Sequence, residues 1–375
     1  MNSSSSKGPF AEGVLIVSPE PWGSLHVSKH HYAMMLAARG SLVFFLNPPN
    51  DSVNGIRIQA IDTVPGLYVV SAPRVAVGLR FYPAFLRLWL EARWLSQLEQ
   101  AAGCRINVVW LFENSRFFNM RFAGNRLKIY HQVDLNQDFH PTTAAATADI
   151  CFCTTDFIRE RLLPHNPRVY KIHHGLAQPA SPQCLTVAQR DHFVGGGKHA
   201  IYIGNLEIAY LDAELLARAA SSFPNVHFHF LGSYTKAGKL WQLAGDLTNV
   251  IWWGKVDSTL IPAILERSDV LLVTYKAALY REQLASPHKF MEYLASGKTV
   301  IATYTDEYKD HRDLVEMVDD NADYLAAFSR VINRLDDYNN PHRQKKRKVF
   351  AMANTYIKQF DRISSLVRQH HSIAN

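Results

Sequence analysis

Short apolar runs, each closed by a turn and followed by a stretch of helical period, recur along most of the 375-residue chain. The first run, at 14–18, ends in the loop Pro19-Glu20-Pro21-Trp22-Gly23. From 29 to 38 the apolar positions recur at helical spacing, Gly40 closes that helix, and 42–46 is the next run. Strand, loop, helix, strand is the opening of a parallel doubly wound sheet. Runs at 68–70, 108–112, 127–130, 150–153 and 169–172 follow. Several are apolar on both faces, as strands covered by helices on either side must be.

Between 178 and 199 the pattern breaks into prolines, scattered charges and Gly195-Gly196-Gly197. The triple glycine lacks the spacing of a phosphate loop and reads as a hinge. A second series then begins, with strands at 200–203, 226–231, 250–253 and 270–275. Three of these end at or just before Gly204, Gly232 and Gly254, where a ligand could approach the backbone at the carboxyl edge of the sheet. Helices are expected at 306–318, 324–335 and 349–367. The chain is thus an α/β protein of two Rossmann-like domains facing a cleft: a disordered 1–10, an amino domain 11–180, a linker 181–199 and a carboxyl domain 200–345. A last helical segment, 346–375, is expected to cross back to the first domain.

The segment 286–298 concentrates the candidate chemistry. Ser286 suits an N-cap and Pro287 the first helical position, while Gly297 suits the left-handed residue that ends a helix. The helix N-terminus offers unpaired N–H groups and the positive end of the dipole, both favourable to a phosphate. Lys289 adds a cation in the first turn, where the dipole disfavours one, which points to an anionic ligand. Glu292, three residues on, shares a face with Lys289 and suits the hydroxyls of a ribose. An ordinary surface Lys–Glu pair is the plainer reading of the same residues.

Composition narrows the class. Apolar residues make up 47% and charged residues 19%, a globular balance without a disordered majority. A formal charge of +7 suggests an anionic partner: a nucleotide, a phospholipid surface or nucleic acid. The four cysteines show neither a metal-ligand spacing nor a disulfide framework, so no metal or cofactor is expected and a reducing cytoplasm is. Residues 1–9 are Ser-rich without an apolar core, and no run of eighteen apolar residues occurs, so any membrane contact is expected to be peripheral, at the inner face.

The blocks Tyr202-Ile203-Gly204-Asn205-Leu206, Phe230-Leu231-Gly232-Ser233, 249–254 and Ser286-Pro287-x-Lys289 through Glu292 to Lys298 resemble, in that order, the carboxyl half of GT-B glycosyltransferases. The likeness is nearer to bacterial enzymes of exopolysaccharide and teichuronic acid assembly, including xanthan-type glucuronosyltransferases. It implies a nucleotide diphosphate-sugar as donor substrate, with Lys289 and Ser286 on the diphosphate and Glu292 on the ribose. Gly204, Asn205 and Gly232 would line the donor floor, and Tyr275 or Tyr280 would contact sugar or base. The family's retaining pattern places two glutamates eight residues apart, but position 284 is leucine and Glu282 is out of register. Inversion without a metal is therefore expected, with Asp134, just after the strand at 127–130, as general base. Asp138 and Glu113 are the alternatives, and a capping or turn role is the plainer reading of Asp134. His131, His174 and Gly175 are expected near the cleft. The acceptor would be a carbohydrate or lipid-linked sugar.

The stretch 79–95 is rich in aromatics and arginine and reads either as a helix at an anionic membrane surface or as an amphipathic core helix. The basic run 343–348 permits the same two readings. Two other functions remain open. A nucleotide-sugar 2-epimerase would share the fold but need further carboxylates. A basic nucleic-acid-binding protein would explain the charge, but no zinc spacing, RNA-binding aromatic signature or helix-turn-helix accompanies it, so nucleic acid is not the expected partner. A nicotinamide dehydrogenase is disfavoured because Gly13 and Gly23 do not make the glycine fingerprint.

Overall fold

A computed structural model describes residues 10, 12–23, 26–135, 138–177, 183–194, 196–280 and 289–371. The chain divides into two compact units, Met1–His174 with Tyr356–Asn375, and Gly175–Thr355.

The first unit is built on an eight-stranded sheet: β1 (Gly13–Val17), β2 (Leu42–Leu46), β3 (Arg57–Ala60), β4 (Leu67–Ser71), β5 (Ile106–Leu111), β6 (Leu127–Gln132), β7 (Ile150–Cys153) and β8 (Val169–Lys171). The order is β3-β4-β2-β1-β5-β6-β7-β8, and every pairing is parallel except that of the edge strand β3 with β4. β1 and β7 are buried along their whole length, as their continuous apolar runs require. Helix α1 (Ser28–Ala38) follows β1, and α2 (Ala84–Ala102) precedes β5. α2 ends at Gly103, whose φ of 63° is the left-handed turn that closes a helix.

The second unit carries six parallel strands: β9 (Lys198–Ile203), β10 (Val226–Leu231), β11 (Val250–Gly254), β12 (Val270–Val273), β13 (Thr299–Ala302) and β14 (Val315–Met317). Their order is β11-β10-β9-β12-β13-β14, so the sequence reverses direction across β9 and leaves a switch point at its carboxyl end. Helix α3 (Lys289–Ser296) precedes β13, and α4 (Pro341–Ala353) packs against it.

Arg347 of α4 is buried, and its guanidinium donates to the carbonyls of Gly297, Leu314 and Tyr338 at 3.0–3.1 Å. Burial pushes its pKa down to about 10, which leaves it charged at neutral pH. A cation at the carboxyl end of α3 also suits that helix's dipole. This clamp keeps α4 in the second unit, whose carboxyl boundary is therefore at 355 and not at 345. The amino boundary falls at 174 and not within 181–199.

The crossing back is made by α5 (Tyr356–His371). Tyr356, Phe360, Ile363 and Val367 are buried at helical spacing. The Tyr356 ring stacks on His31 of α1 at 4.2 Å, and the Phe360 ring lies 5.7 Å from Phe10. One expected helix is absent: 306–318 holds a short 3₁₀ turn, Asp306–Tyr308, and then β14, because pairing with β13 captures Val315 to Met317.

Candidate functional site

The carboxyl ends of β9, β10 and β11 are tied into one surface by their backbone. Gly204 N–H donates to Leu231 O at 2.9 Å, Gly232 N–H to Gly254 O at 2.8 Å and Leu206 N–H to Ser233 O at 3.0 Å. Gly204 and Gly232 have φ of 147° and 142°. A Cβ on Gly232 would lie 1.8 Å from Gly204 O, and one on Gly204 would lie 3.0 Å from Lys289 Nζ. Both positions need glycine, for conformation and for space.

Lys289 therefore stands directly over the switch point. Its ammonium is shielded from solvent and has no hydrogen-bond partner among the described residues. Aromatic faces surround it instead, with Nζ 3.7 Å from the centre of the Tyr202 ring and 5.1 Å from that of Tyr275. Cation–π attraction offsets part of the cost of burial but cannot replace a counter-ion. Burial is the larger influence and holds the ammonium down to about 7, with Glu292 acting in the opposite sense. Glu292 is shifted upward by the same desolvation, which Lys289 partly opposes. Lys289 and Glu292 are thus perturbed together at one helix turn, a mark of functional sites more than of surface pairs.

The surrounding residues hold this arrangement still. Tyr293 Oη accepts the Ile203 N–H at 2.8 Å, locking α3 to β9, and the Tyr275 N–H donates to Thr303 Oγ1 at 2.9 Å. On the side of α3 that carries Glu292 opens a cavity of about 690 Å³. Its walls include Ser258, Ile261, Leu265 and Lys348, with Cys184 at one edge. Among the described residues, Glu292 is the one predicted donor residue that faces it.

Ser286 lies outside the described residues, as do Glu282 and Leu284. Asn205 is exposed, and its Oδ1 accepts the Glu207 N–H at 3.0 Å, so it shapes the turn after β9. Tyr275 is buried beside Lys289, with its ring 5.3 Å from Tyr210 and little surface left for a sugar or base. Tyr202 was not singled out by sequence. Its position two residues before Gly204 on a strand was the available signal.

In the first unit, Asp134 is half-buried two residues past the end of β6. Glu113 is held by Arg116 at 2.6 Å and Asp138 by Arg161 at 2.9 Å. His131 is not a cleft residue: it is buried, stacked 4.9 Å from Phe112 and 6.1 Å from Trp110, and desolvation keeps the imidazole neutral with a pKa of about 3. His174 is buried as well, its Nδ1 2.9 Å from Ser28 Oγ, which is in turn 3.1 Å from Tyr356 Oη. It joins α1 to α5, and Gly175 opens the second unit. Among the described residues no group of three or more His, Cys, Asp or Glu is placed to hold a metal ion.

Solved structures share this architecture over nearly the whole chain. Sucrose-phosphate synthase of Thermosynechococcus elongatus superposes with a TM-score of 0.73 at 14% identity, covering 96% of this chain and 100% of that one. An α,α-trehalose 6-phosphate synthase of Burkholderia multivorans gives 0.69 at 12% identity over 97% and 100%. An Anabaena protein crystallised with UDP and glucose gives 0.66 at 13% identity over 95% and 99%. The fold is that of the GT-B glycosyltransferases.

Within this GT-B chain, residues 197–335 match the family described as glycosyl transferases group 1, and that segment contains Gly204, Gly232, Lys289 and Glu292. A Bacillus subtilis protein assigned by name to teichuronic acid biosynthesis as a glycosyltransferase is 26% identical over 212 residues, 51% of this chain. The chain spans about half the length of that curated relative, 50% of it being matched.

Proposed function

We propose that the protein transfers a glycosyl group from a nucleoside diphosphate sugar to a hydroxyl of a carbohydrate or lipid-linked acceptor in cell-surface polysaccharide assembly. The observation that carries this reading is Lys289, an ammonium desolvated over Gly204 without a hydrogen-bond partner among the described residues, inside a group 1 glycosyl transferase segment. A diphosphate over Gly204 and Gly232 would supply the hydrogen-bond acceptors that the ammonium lacks. Glu292, facing the adjoining cavity, would accept hydrogen bonds from the ribose. UDP is the favoured nucleotide, since the Anabaena structure of the same fold holds UDP and glucose.

In this reading the acceptor oxygen attacks the anomeric carbon as the bond from that carbon to the diphosphate oxygen breaks. Asp134 takes the hydroxyl proton. The nucleoside diphosphate leaves with the electron pair and is stabilised by Lys289.

A thermal-shift series with UDP, GDP, ADP and their glucose, glucuronate and mannose conjugates tests it. One diphosphate should raise the melting temperature through binding to the folded state alone. Lys289→Ala should abolish that shift while remaining folded. A shift that survives Lys289→Ala would place the diphosphate elsewhere. Conversion of the donor without an acceptor to an epimer would favour the epimerase.

A further inference from the structure

The loop before α2 and the first turns of that helix expose apolar side chains that no other described part of the chain covers. Relative exposure is 82% for Val77, 77% for Phe81, 75% for Phe85 and 54% for Trp89. All four fall within residues 77–89, a strip along the chain. Phe85 and Trp89 lie one turn apart on α2, and Phe81 sits in the 3₁₀ turn Leu79–Phe81 that leads into it. The opposite face of α2 is ordinary core, with Trp94, Leu95 and Leu98 buried. Helical period therefore accounts for one face and leaves the other without an interior to serve. Four large apolar side chains in a row are more than a protein surface normally leaves bare.

The charge of this stretch is predominantly basic, with Arg74 alone, among the described residues, paired to an acid of another loop, Asp51, at 2.5 Å. Residues 74–95 contain four arginines, Arg74, Arg80, Arg87 and Arg93, against a single acid, Glu91. Arg80 lies 4.6 Å over the Phe81 ring and Arg93 lies 5.6 Å over Trp89, so each guanidinium stands at the rim of an exposed aromatic. Glu91 does not neutralise this rim, because it points inward and is buried. Behind the strip lies a cavity of about 410 Å³ whose wall includes Arg80, Arg87 and Glu91 together with the ion-paired Arg116 and Glu113. Arg87 Nε and Glu91 Oε2 are shielded there without a hydrogen-bond partner among the described residues. Burial is the chief influence on Glu91 and pushes it up to about 7, with Arg87 acting in the opposite sense.

We propose that this face docks on an anionic lipid bilayer, with Val77, Phe81, Phe85 and Trp89 entering the headgroup–acyl boundary and the arginine-lined cavity behind them receiving a lipid phosphate. Aromatics set among arginines suit that boundary, where a ring is partly in hydrocarbon and a guanidinium remains at the phosphates. A protein partner would need acids facing the rim and apolar groups facing the strip at once, whereas an anionic bilayer presents both chemistries over any area. Docking of this kind requires no spanning segment, and among the described residues no helix is long and apolar enough to cross a membrane.

Flotation of the full chain with vesicles tests the proposal. Vesicles of phosphatidylcholine with about one third phosphatidylglycerol should carry the protein upward at low salt, and pure phosphatidylcholine should carry at least tenfold less. Phe85→Ser with Trp89→Ser should lower flotation on anionic vesicles at least tenfold, as should Arg80→Glu with Arg93→Glu. All four side chains are exposed in the chain, so both double variants should keep the wild-type melting temperature and the nucleotide-induced shift. These last two readouts separate a failed docking surface from a failed donor site. Equal flotation of wild type and either double variant overturns the proposal, as does equal flotation on neutral and anionic vesicles. Release by millimolar inorganic phosphate in place of lipid would assign the cavity to a free anion and also overturn it.

Discussion

At the level of single residues, Lys289 is the point where folding and ligand binding make opposite demands. An ordinary lysine titrates near 10.5, and this one is held down to about 7 by burial. Between those values the unfolded chain binds a proton that the folded chain has released, so stability from this group rises with pH through that window. Below about 7 the folded protein carries the full cost of a desolvated cation. Lys289→Met should therefore make the ligand-free protein more stable at pH 6.5, and the difference should shrink toward pH 10. An anion over Gly204 favours the protonated form, so affinity for the nucleoside diphosphate should fall as pH rises above 7 in the wild type alone. Urea unfolding and calorimetric titration of both proteins across pH 6.5–10 measure the two slopes. Parallel curves for wild type and variant would show that the lysine is solvated and not caged.

Among the elements, what could be read in advance separates by how local its cause is. The strands β1, β2, β9, β10 and β12 were legible because an apolar run between turn residues has few other uses. The site at α3 was legible because Lys289 breaks the usual charge preference of a first helical turn. β14 was not, since three residues with one acid, Val315-Glu316-Met317, become a strand only by pairing with β13. Nor was the burial of His131 and His174, because a histidine after a strand reads alike whether it faces a ligand or an aromatic core. The crossing helix lies between these cases: its amphipathic period is local, while its destination is not. Tyr356, Phe360, Ile363 and Val367 complete the core of the first unit from the far end of the chain. Phe360→Ala, which removes a buried ring tilted against Phe10 and capped by Arg39 at 4.6 Å, should cost about 3–5 kcal/mol. Chemical denaturation should show the loss in the transition of the first unit, with the nucleotide-induced stabilisation of the second unit kept. A loss below about 1 kcal/mol would mean that α5 is only loosely held.

For the molecule as a whole, the two units divide the proposed chemistry. Every residue placed on the donor, from Gly204 to Glu292, belongs to the second unit, and the proposed base belongs to the first. Binding and turnover should then be separable by mutation. Asp134→Asn keeps the size and half-buried setting of the side chain but removes its capacity to take a proton. It should leave the nucleotide-induced melting shift unchanged and lower turnover by about 10²–10⁴-fold, the range of a lost general base. Stereochemistry supplies an independent check. A single carboxylate acting on the acceptor implies in-line attack and a product of opposite anomeric configuration to the donor. One solved relative of this fold, a trehalose-6-phosphate synthase at 14% identity, is described by its transfer with retention. At that identity the likeness carries the fold and not the stereochemical course. In this chain position 284 is leucine, where the retaining pattern would place its first glutamate. The anomeric proton coupling of the first-formed product, read by NMR before mutarotation or hydrolysis, decides between the two courses. An inverted product together with an inactive Asp134→Asn supports the base across the chain. A retained product, or full turnover in Asp134→Asn, transfers the chemistry to the donor unit and removes Asp134 from it.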